Sequence, residues 1–212
     1  MSGKAGTLAQ VKELRERTGA GIVDCQKALA ESGGDVEKAI VFLREKGLAT
    51  AAKRAGRAAA QGTVGAYIHG GGKIGVLVEV NCETDFVART EAFQRLVKDI
   101  AMQVAAANPQ YVRREEVSEA ERERERGIYH AQTAQSSKPA AVIERIVAGK
   151  MEKFYSDTCL LEQPFIRDPG KTVEQLVKEA VARTGENIVV RRFSRFQIGE
   201  AEGSEEKSGQ SA

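Results

Sequence analysis

Tryptophan is absent from this chain of 212 residues, aromatic side chains make up only 5% of it, and histidine occurs twice, at His69 and His130. So few rings argue against a protein that holds single-stranded nucleic acid by stacking bases on aromatic platforms. Charge of one sign is missing too: 32 Lys and Arg stand against 30 Asp and Glu, without the basic excess of a dedicated nucleic-acid binder. No apolar run is long enough to cross a bilayer, and Met1-Ser2-Gly3-Lys4 leads straight into a helical pattern with no apolar signal region. The expectation is a cytoplasmic protein with no direct nucleic-acid and no membrane partner. Cysteine is scarce and scattered, at Cys25, Cys82 and Cys159, with none of the spacing of a zinc or redox pair, so reduced thiols are expected.

Catalytic groups are equally hard to find. His69 beside Gly70 reads as a turn-flanking residue, His130 lies in a charged helix, and Cys82 has no histidine near it in sequence. Gly70-Gly71-Gly72-Lys73 has the composition of a phosphate loop, but a second strand pattern follows it where a helix N-terminus would be needed. The expectation is binding or regulation rather than enzyme chemistry, with no cofactor and no metal.

What the chain does have is a change of period. Thr7-x-x-Gln10 reads as a capping box, followed by a stripe of Leu8, Val11 and Leu14 that Thr18-Gly19 ends. Ile22, Val23, Ala28 and Leu29 mark a second helix closed by Gly33-Gly34, and Val36, Ala39, Ile40 and Leu43 a third that stops at Gly47. Such short helices are unstable alone in water, so residues 1–48 are expected to pack as a three-helix domain. Residues 49–61, rich in Ala with Lys53, Arg54 and Arg57, read as a basic helical linker.

From Gly62 the period falls to two. Val64, Ala66 and Ile68, then Ile74 to Cys82 with Val76, Val78 and Val80, predict a hairpin around the triple glycine. A long helix follows from about Thr90 to Asn108-Pro109, with Phe93, Leu96, Val97, Ile100, Val104 and Ala105 on one face. Ser118-x-x-Glu121 opens a charged, solvated helix, Val142 to Met151 mark another, and Thr172-x-x-Gln175 caps a last one. Residues 187–198 read as a closing strand whose alternation slips between Val190, Phe193 and Phe196, through one β-bulge or a strand rotated across two neighbours. The fold class is α+β: the helical domain, then a core at 62–199 with a small antiparallel sheet packed against helices, then a disordered tail at 200–212.

The most informative stretch is Val80-Asn81-Cys82-Glu83-Thr84-Asp85-Phe86-Val87-Ala88-Arg89, where strand gives way to helix and a carboxylate sits beside a phenylalanine. A junction between two rigid elements can present a side chain to a partner, although a phenylalanine there can equally plug a core.

Two long motifs carry a resemblance. The run Val11-Lys12-Glu13-Leu14-Arg15-Glu16-Arg17-Thr18-Gly19-Ala20-Gly21 with Asp24-Cys25-Gln26-Lys27-Ala28-Leu29, and the run Asn81-Cys82-Glu83-Thr84-Asp85-Phe86-Val87-Ala88, resemble the translation elongation factor Ts family. The likeness continues through Tyr67-Ile68-His69-Gly70, Ile100-Ala101-Met102, Gly185-Glu186-Asn187-Ile188 and Arg191-Arg192. It implies a guanine-nucleotide exchange factor for the GTPase elongation factor Tu, with an N-terminal ubiquitin-associated-like domain that docks on the partner's GTPase domain. By the same resemblance Phe86 wedges between partner helices and Asp85 disturbs the bound magnesium, flanked by Thr84 and Val87. Further partner contacts are implied at Ile22, Val23, Lys27, Gln103, Thr184 and Gly185, with one of Ile22 and Val23 expected to face the helical core.

The chain departs from the family pattern at Gln26, often basic in relatives, at Gln103, frequently histidine, and at Thr184, commonly isoleucine. It resembles the short form of the family, for which a homodimer in a two-plus-two complex is a further expectation. The competing reading from another class is an adaptor that binds ubiquitin-like proteins or nascent chains through its N-terminal helices. It leaves Asp85-Phe86 unexplained.

Overall fold

The computed structural model describes residues 6–134 and 139–200, and the predicted tail lies outside them except for Glu200. Among the described residues the chain forms eight α-helices and five strands, a mixed fold as the change of period implied.

The N-terminal unit holds α1 (Leu8–Thr18), α2 (Ile22–Glu31) and the first half of α3 (Val36–Arg54). The capping box is present: the Gln10 N–H donates to Thr7 Oγ1 at 3.3 Å, and the Thr7 N–H to Gln10 Oε1 at 2.8 Å. Val11, Leu14, Cys25, Ala28, Leu29 and Ala39 fill the space between the three helices. Leu8 is a correction to the expected stripe, since it lies exposed at the first turn.

The third helix corrects a larger expectation. It does not stop at Gly47 but runs to Arg54, so the expected linker is, in its first half, a continuation of α3. Gly47 serves a different purpose. A Cβ there would lie 3.1 Å from the Cβ of Ala182, so the missing side chain lets α3 cross closely over α8 (Val173–Thr184). Ala51, three residues further from that crossing than Leu48, is buried in the core of the second unit. One helix thus belongs to both units.

The second unit is built on β1 (Gln61–His69) and β2 (Ile74–Cys82), paired antiparallel, with β5 (Ile188–Gln197) antiparallel on the far side of β2. Gly70, Gly71 and Gly72 all adopt positive φ in the turn, which explains a run of three glycines without any phosphate. The phase slip in β5 is a bulge: Glu79 pairs with Arg192 and Val80 with Val190, leaving Arg191 extra.

Val76, Val78, Val80 and Cys82 face α5 (Glu91–Ala107) and α8 (Val173–Thr184), while the other face of the sheet is open. α5 rests very close to the sheet, because a Cβ on Gly65 would sit 2.3 Å from Val97 Cγ1. At the far end of the same helix, the Arg195 guanidinium donates to the Ala105 carbonyl at 3.4 Å.

A helical hairpin of α6 (Glu119–Ala134) and α7 (Ala140–Thr158) stands beside this core. The charged helix is less uniformly solvated than its sequence suggested: Glu121 turns inward and accepts the Tyr111 hydroxyl, while Arg122 pairs with Glu119 at 3.0 Å. Burial and that carboxylate push the Tyr111 hydroxyl up to about 12. A short two-stranded ribbon, β3 (Pro164–Phe165) with β4 (Asp168–Thr172), had no periodic signal to announce it.

Close packing of α5 on β1 generates a test. Gly65→Ala should destabilise the protein by about 1–3 kcal/mol through overpacking. Denaturant titration checks this, and adding Val97→Ala should recover part of the loss.

A candidate partner-binding site at the end of the sheet

The site forms where the strand ladder runs out. The last rung of β2 and β5 pairs Cys82 with Ile188, and beyond it the chain turns through Glu83 and Thr84 into α4 (Asp85–Ala88), a single helical turn. So short a helix cannot hold itself together, so its order comes from its surroundings. Thr84 is its N-cap, in an extended conformation, with Oγ1 accepting the Val87 N–H at 3.4 Å. Ala88 is buried and Val87 packs against the core, which fixes one side of the turn.

Every flank of the turn is tied down. The Cys82 thiol donates to the Thr84 carbonyl at 3.1 Å. Thr90, the N-cap of α5, donates its hydroxyl to the Val87 carbonyl at 2.7 Å. The Gln94 amide reaches back to the Ala88 carbonyl at 2.7 Å and to Thr63 Oγ1 on β1 at 3.1 Å. From the other side, Glu186 accepts the Glu83 and Thr84 N–H groups at 3.1 and 3.0 Å and the Thr84 hydroxyl at 2.6 Å. Glu83 in turn accepts the Asn187 N–H at 2.6 Å.

Against this backbone scaffold Phe86 stands free. It is 78% exposed, so it plugs no part of this chain's core. A large ring held in water on an anchored turn forgoes the hydrophobic gain that burial would bring, so covering it would be favourable. Asp85 beside it is paired with Arg89 at 2.6 Å in the same helical turn. That pair is solvent-exposed and therefore weak, so Asp85 can exchange Arg89 for another partner at little cost.

The remaining expected contacts fall into separate places. Thr184 and Gly185 end α8 directly beside the turn: Gly185 takes the left-handed conformation with φ of 80°, and the Glu186 N–H donates to Thr184 Oγ1 at 3.3 Å. The Thr184 hydroxyl itself donates to Ala180. Ile22 and Val23 lie in the first turn of α2, 52% and 60% exposed, with Lys27 exposed one turn later. The expectation that one of the pair packs inward is corrected, because the inward stripe of α2 is Cys25, Ala28 and Leu29.

Gln103 is corrected more firmly. It is 1% exposed, its amide donates to Gln163 and Pro164, and its carbonyl accepts the Ile166 N–H at 2.9 Å. Its side chain therefore fastens the β3–β4 ribbon to α5 and lies inside the free chain rather than on its surface.

Among the described residues no group of three or more His, Cys, Asp or Glu side chains is placed to hold a metal, and no helix is long and apolar enough to cross a membrane. A cleft of about 490 Å³ between the N-terminal helices and α8 has in its lining Lys46, paired with Asp24, and Lys171, paired with Glu179.

A profile of the Elongation factor TS family matches residues 33–200 of the chain. The elongation factor Ts of Desulforamulus reducens is 63% identical over 192 residues, 91% of this chain and 88% of the relative. Those of Caldanaerobacter subterraneus and Geobacter metallireducens are 64% and 62% identical, over 90% and 92% of this chain and 95% and 90% of the relatives. The chain belongs to the elongation factor Ts family. Its role is accordingly nucleotide exchange in translation elongation.

For an elongation factor Ts, the exposed turn after the second core strand is the feature that the resemblance pointed to. The sequence reading expects contacts at Thr84 to Val87 and assigns no role to Glu186, Gln94 and Arg89, which in the structure position or pair with them. Only Glu186 carried a signal, as part of the Gly185-Glu186-Asn187 motif.

The cysteines supply a test of how closed the site's base is. Cys25, Cys82 and Cys159 are all buried free thiols, and burial raises each above its ordinary value, with Glu186 adding to the effect at Cys82. At mildly alkaline pH the native protein should react negligibly with a thiol-specific chromogenic disulfide, and unfolding should release all three. A fast-reacting thiol in the native state would contradict the packing beneath the turn.

Proposed function

We propose that this chain accelerates GDP release from elongation factor Tu by inserting Phe86 between helices of the GTPase while Asp85 disturbs the surroundings of its magnesium ion. The observation that carries the reading is Phe86 itself, exposed on a turn whose backbone is bonded on every side.

A GTPase grips GDP through a phosphate cradle and Mg²⁺, and release requires that grip to loosen without an equally tight substitute. Burying a phenylalanine ring in a partner cleft supplies about 1.5–3 kcal/mol, equivalent to about ten- to hundredfold in an equilibrium. The ring stabilises the low-affinity shape of the partner better when the backbone that carries it is fixed, and the anchored turn fixes it. Asp85 then brings a negative charge to the place where the partner holds a cation. By linkage, a factor that weakens nucleotide binding is itself weakened by nucleotide to the same degree, so it departs when the new nucleotide arrives.

Ile22, Val23 and Lys27 form the second contact, on the N-terminal unit, where two exposed apolar side chains stand beside a cation. Thr184 and Gly185 border the wedge and contribute backbone surface there. Gln103 has no direct part.

We further propose that the open face of the sheet pairs with a second copy of the chain, giving a two-plus-two complex. Val64 and Ile68 on β1, Leu77 on β2 and Phe196 on β5 are all exposed on that face. Its main charges, Glu79 and Arg192, neutralise each other at 2.7 Å. A flat, apolar, internally neutral sheet face suits another of its own kind, packed sheet on sheet.

Two measurements test these readings. Stopped-flow release of a fluorescent GDP analogue from elongation factor Tu should be strongly accelerated by the wild type, with Phe86→Ala losing about ten- to hundredfold of the effect. Unchanged acceleration by the variant would contradict the wedge. Light scattering should give a dimer for the wild type and a monomer for Ile68→Glu with Phe196→Glu, and a wild-type monomer would contradict the pairing.

A further inference from the structure

We infer that Glu186 is the positioning residue of the exchange reaction, its carboxylate setting the direction in which Phe86 and Asp85 leave the scaffold. This rests on the wedge reading above.

All three bonds that the Glu186 carboxylate accepts from this turn end on Glu83 and Thr84, the two residues immediately before Asp85. One oxygen takes two successive backbone N–H groups and the other takes the Thr84 hydroxyl. That division matters, because the same hydroxyl oxygen caps α4 by accepting the Val87 N–H. The bond to Glu186 holds the Thr84 oxygen in place while a lone pair on it remains for the helix. Without Glu186 nothing on that side holds the Thr84 oxygen, and two part-buried N–H groups lose their acceptor.

Glu186 is itself held from behind. Gly185 ends α8 in the left-handed conformation, and the Glu186 N–H donates to Thr184 Oγ1. Next along the chain, Asn187 donates its backbone N–H to Glu83 and its side-chain amide to the Arg57 carbonyl at 2.7 Å. Residues 83–84 and 186–187 therefore clasp each other reciprocally, carboxylate to backbone, at the point where the Cys82–Ile188 rung ends the ladder. A continuous path of hydrogen bonds runs from the C-terminus of α8 through Glu186 to Thr84 and so to α4. No equivalent contact holds the Phe86 ring, so what the clasp sets is the backbone and the Cα–Cβ direction from which the ring departs.

Reach, rather than charge, is what this role demands, and two substitutions separate them. Glu186→Gln keeps the length, with a carbonyl for the two N–H groups and an amide able to donate to Thr84 Oγ1. Glu186→Asp keeps the charge but withdraws it by one methylene, about 1.5 Å. The experiment is GDP release from elongation factor Tu across a range of concentrations of each variant, with Glu186→Ala and Phe86→Ala alongside.

Glu186→Asp and Glu186→Ala should each lower the maximal acceleration by about tenfold or more, while the half-saturating concentration moves less than about threefold and Glu186→Gln stays within about threefold of wild type. Amide exchange of residues 84–88 should quicken in Glu186→Asp while that of α5 is unchanged. Val173→Ala, a core variant, should lower the melting temperature without lowering the maximal acceleration when assayed well below the melt. Wild-type acceleration by Glu186→Asp, or a loss by Glu186→Gln as deep as by Glu186→Ala, would overturn the inference. If Phe86→Ala itself keeps full acceleration, the wedge reading fails instead. If Glu186→Ala does not fold, the Gln and Asp pair still decides.

Discussion

The structure depends on a constraint at the end of a strand ladder, where two chain segments run out of rungs and must satisfy their backbone groups in some other way. Glu83 and Glu186 meet it with their carboxylates, each accepting N–H groups from the opposite segment. Buried or half-buried backbone donors are costly to leave unpaired, so this exchange is what permits a sharp departure from the sheet at Thr84. The turn that follows is too short to be a helix in its own right. It is ordered by Thr84, Thr90 and Gln94 at its ends and by Val87 and Ala88 beneath it. The chain thereby holds a phenylalanine in water on a backbone that is fixed at both ends.

The second organising feature is α3. A helix of 19 residues spans about 28 Å at 1.5 Å per residue, and this one starts in the N-terminal unit and ends against the core. Its crossing with α8 at Gly47 and Ala182 ties the same α8 whose C-terminus carries Thr184, Gly185 and Glu186. The patch at Ile22 and Val23 and the turn at Phe86 are thus joined through packed helices rather than through a free tether. The two proposed contacts, on such a frame, would lose less entropy in the second contact than a loose linker would allow.

Much of this was legible in the chain itself. The capping boxes at Thr7 and Thr172, the hairpin at the triple glycine, the apolar face of α5 and the bulge in β5 each left a local signature that survived into the fold. What misled were residues whose meaning is set by a distant neighbour. Gly47 looks like a helix stop in sequence and becomes a helix crossing only because Ala182 lies against it. Gln103 looks like a substituted contact residue and is consumed by Gln163, Pro164 and Ile166, sixty residues away in the chain. Glu186 has no local pattern that reveals its partners, since Glu83 and Thr84 come to it through the pairing of β2 with β5. The exposure of Phe86 was likewise open, because a strand-to-helix junction can bury a ring as readily as present it.

The central claim is that the Phe86 ring passes from water into the partner. Since the chain contains no tryptophan, 5-fluorotryptophan placed by Phe86→Trp would give this protein a single fluorine signal, with an unlabelled partner silent. The measurement is the ¹⁹F resonance in H₂O and D₂O, before and after addition of elongation factor Tu with GDP. The account predicts a solvent isotope shift in the free chain that disappears in the complex, together with a new chemical shift. A resonance that keeps both its free position and its solvent sensitivity while the complex forms would contradict it.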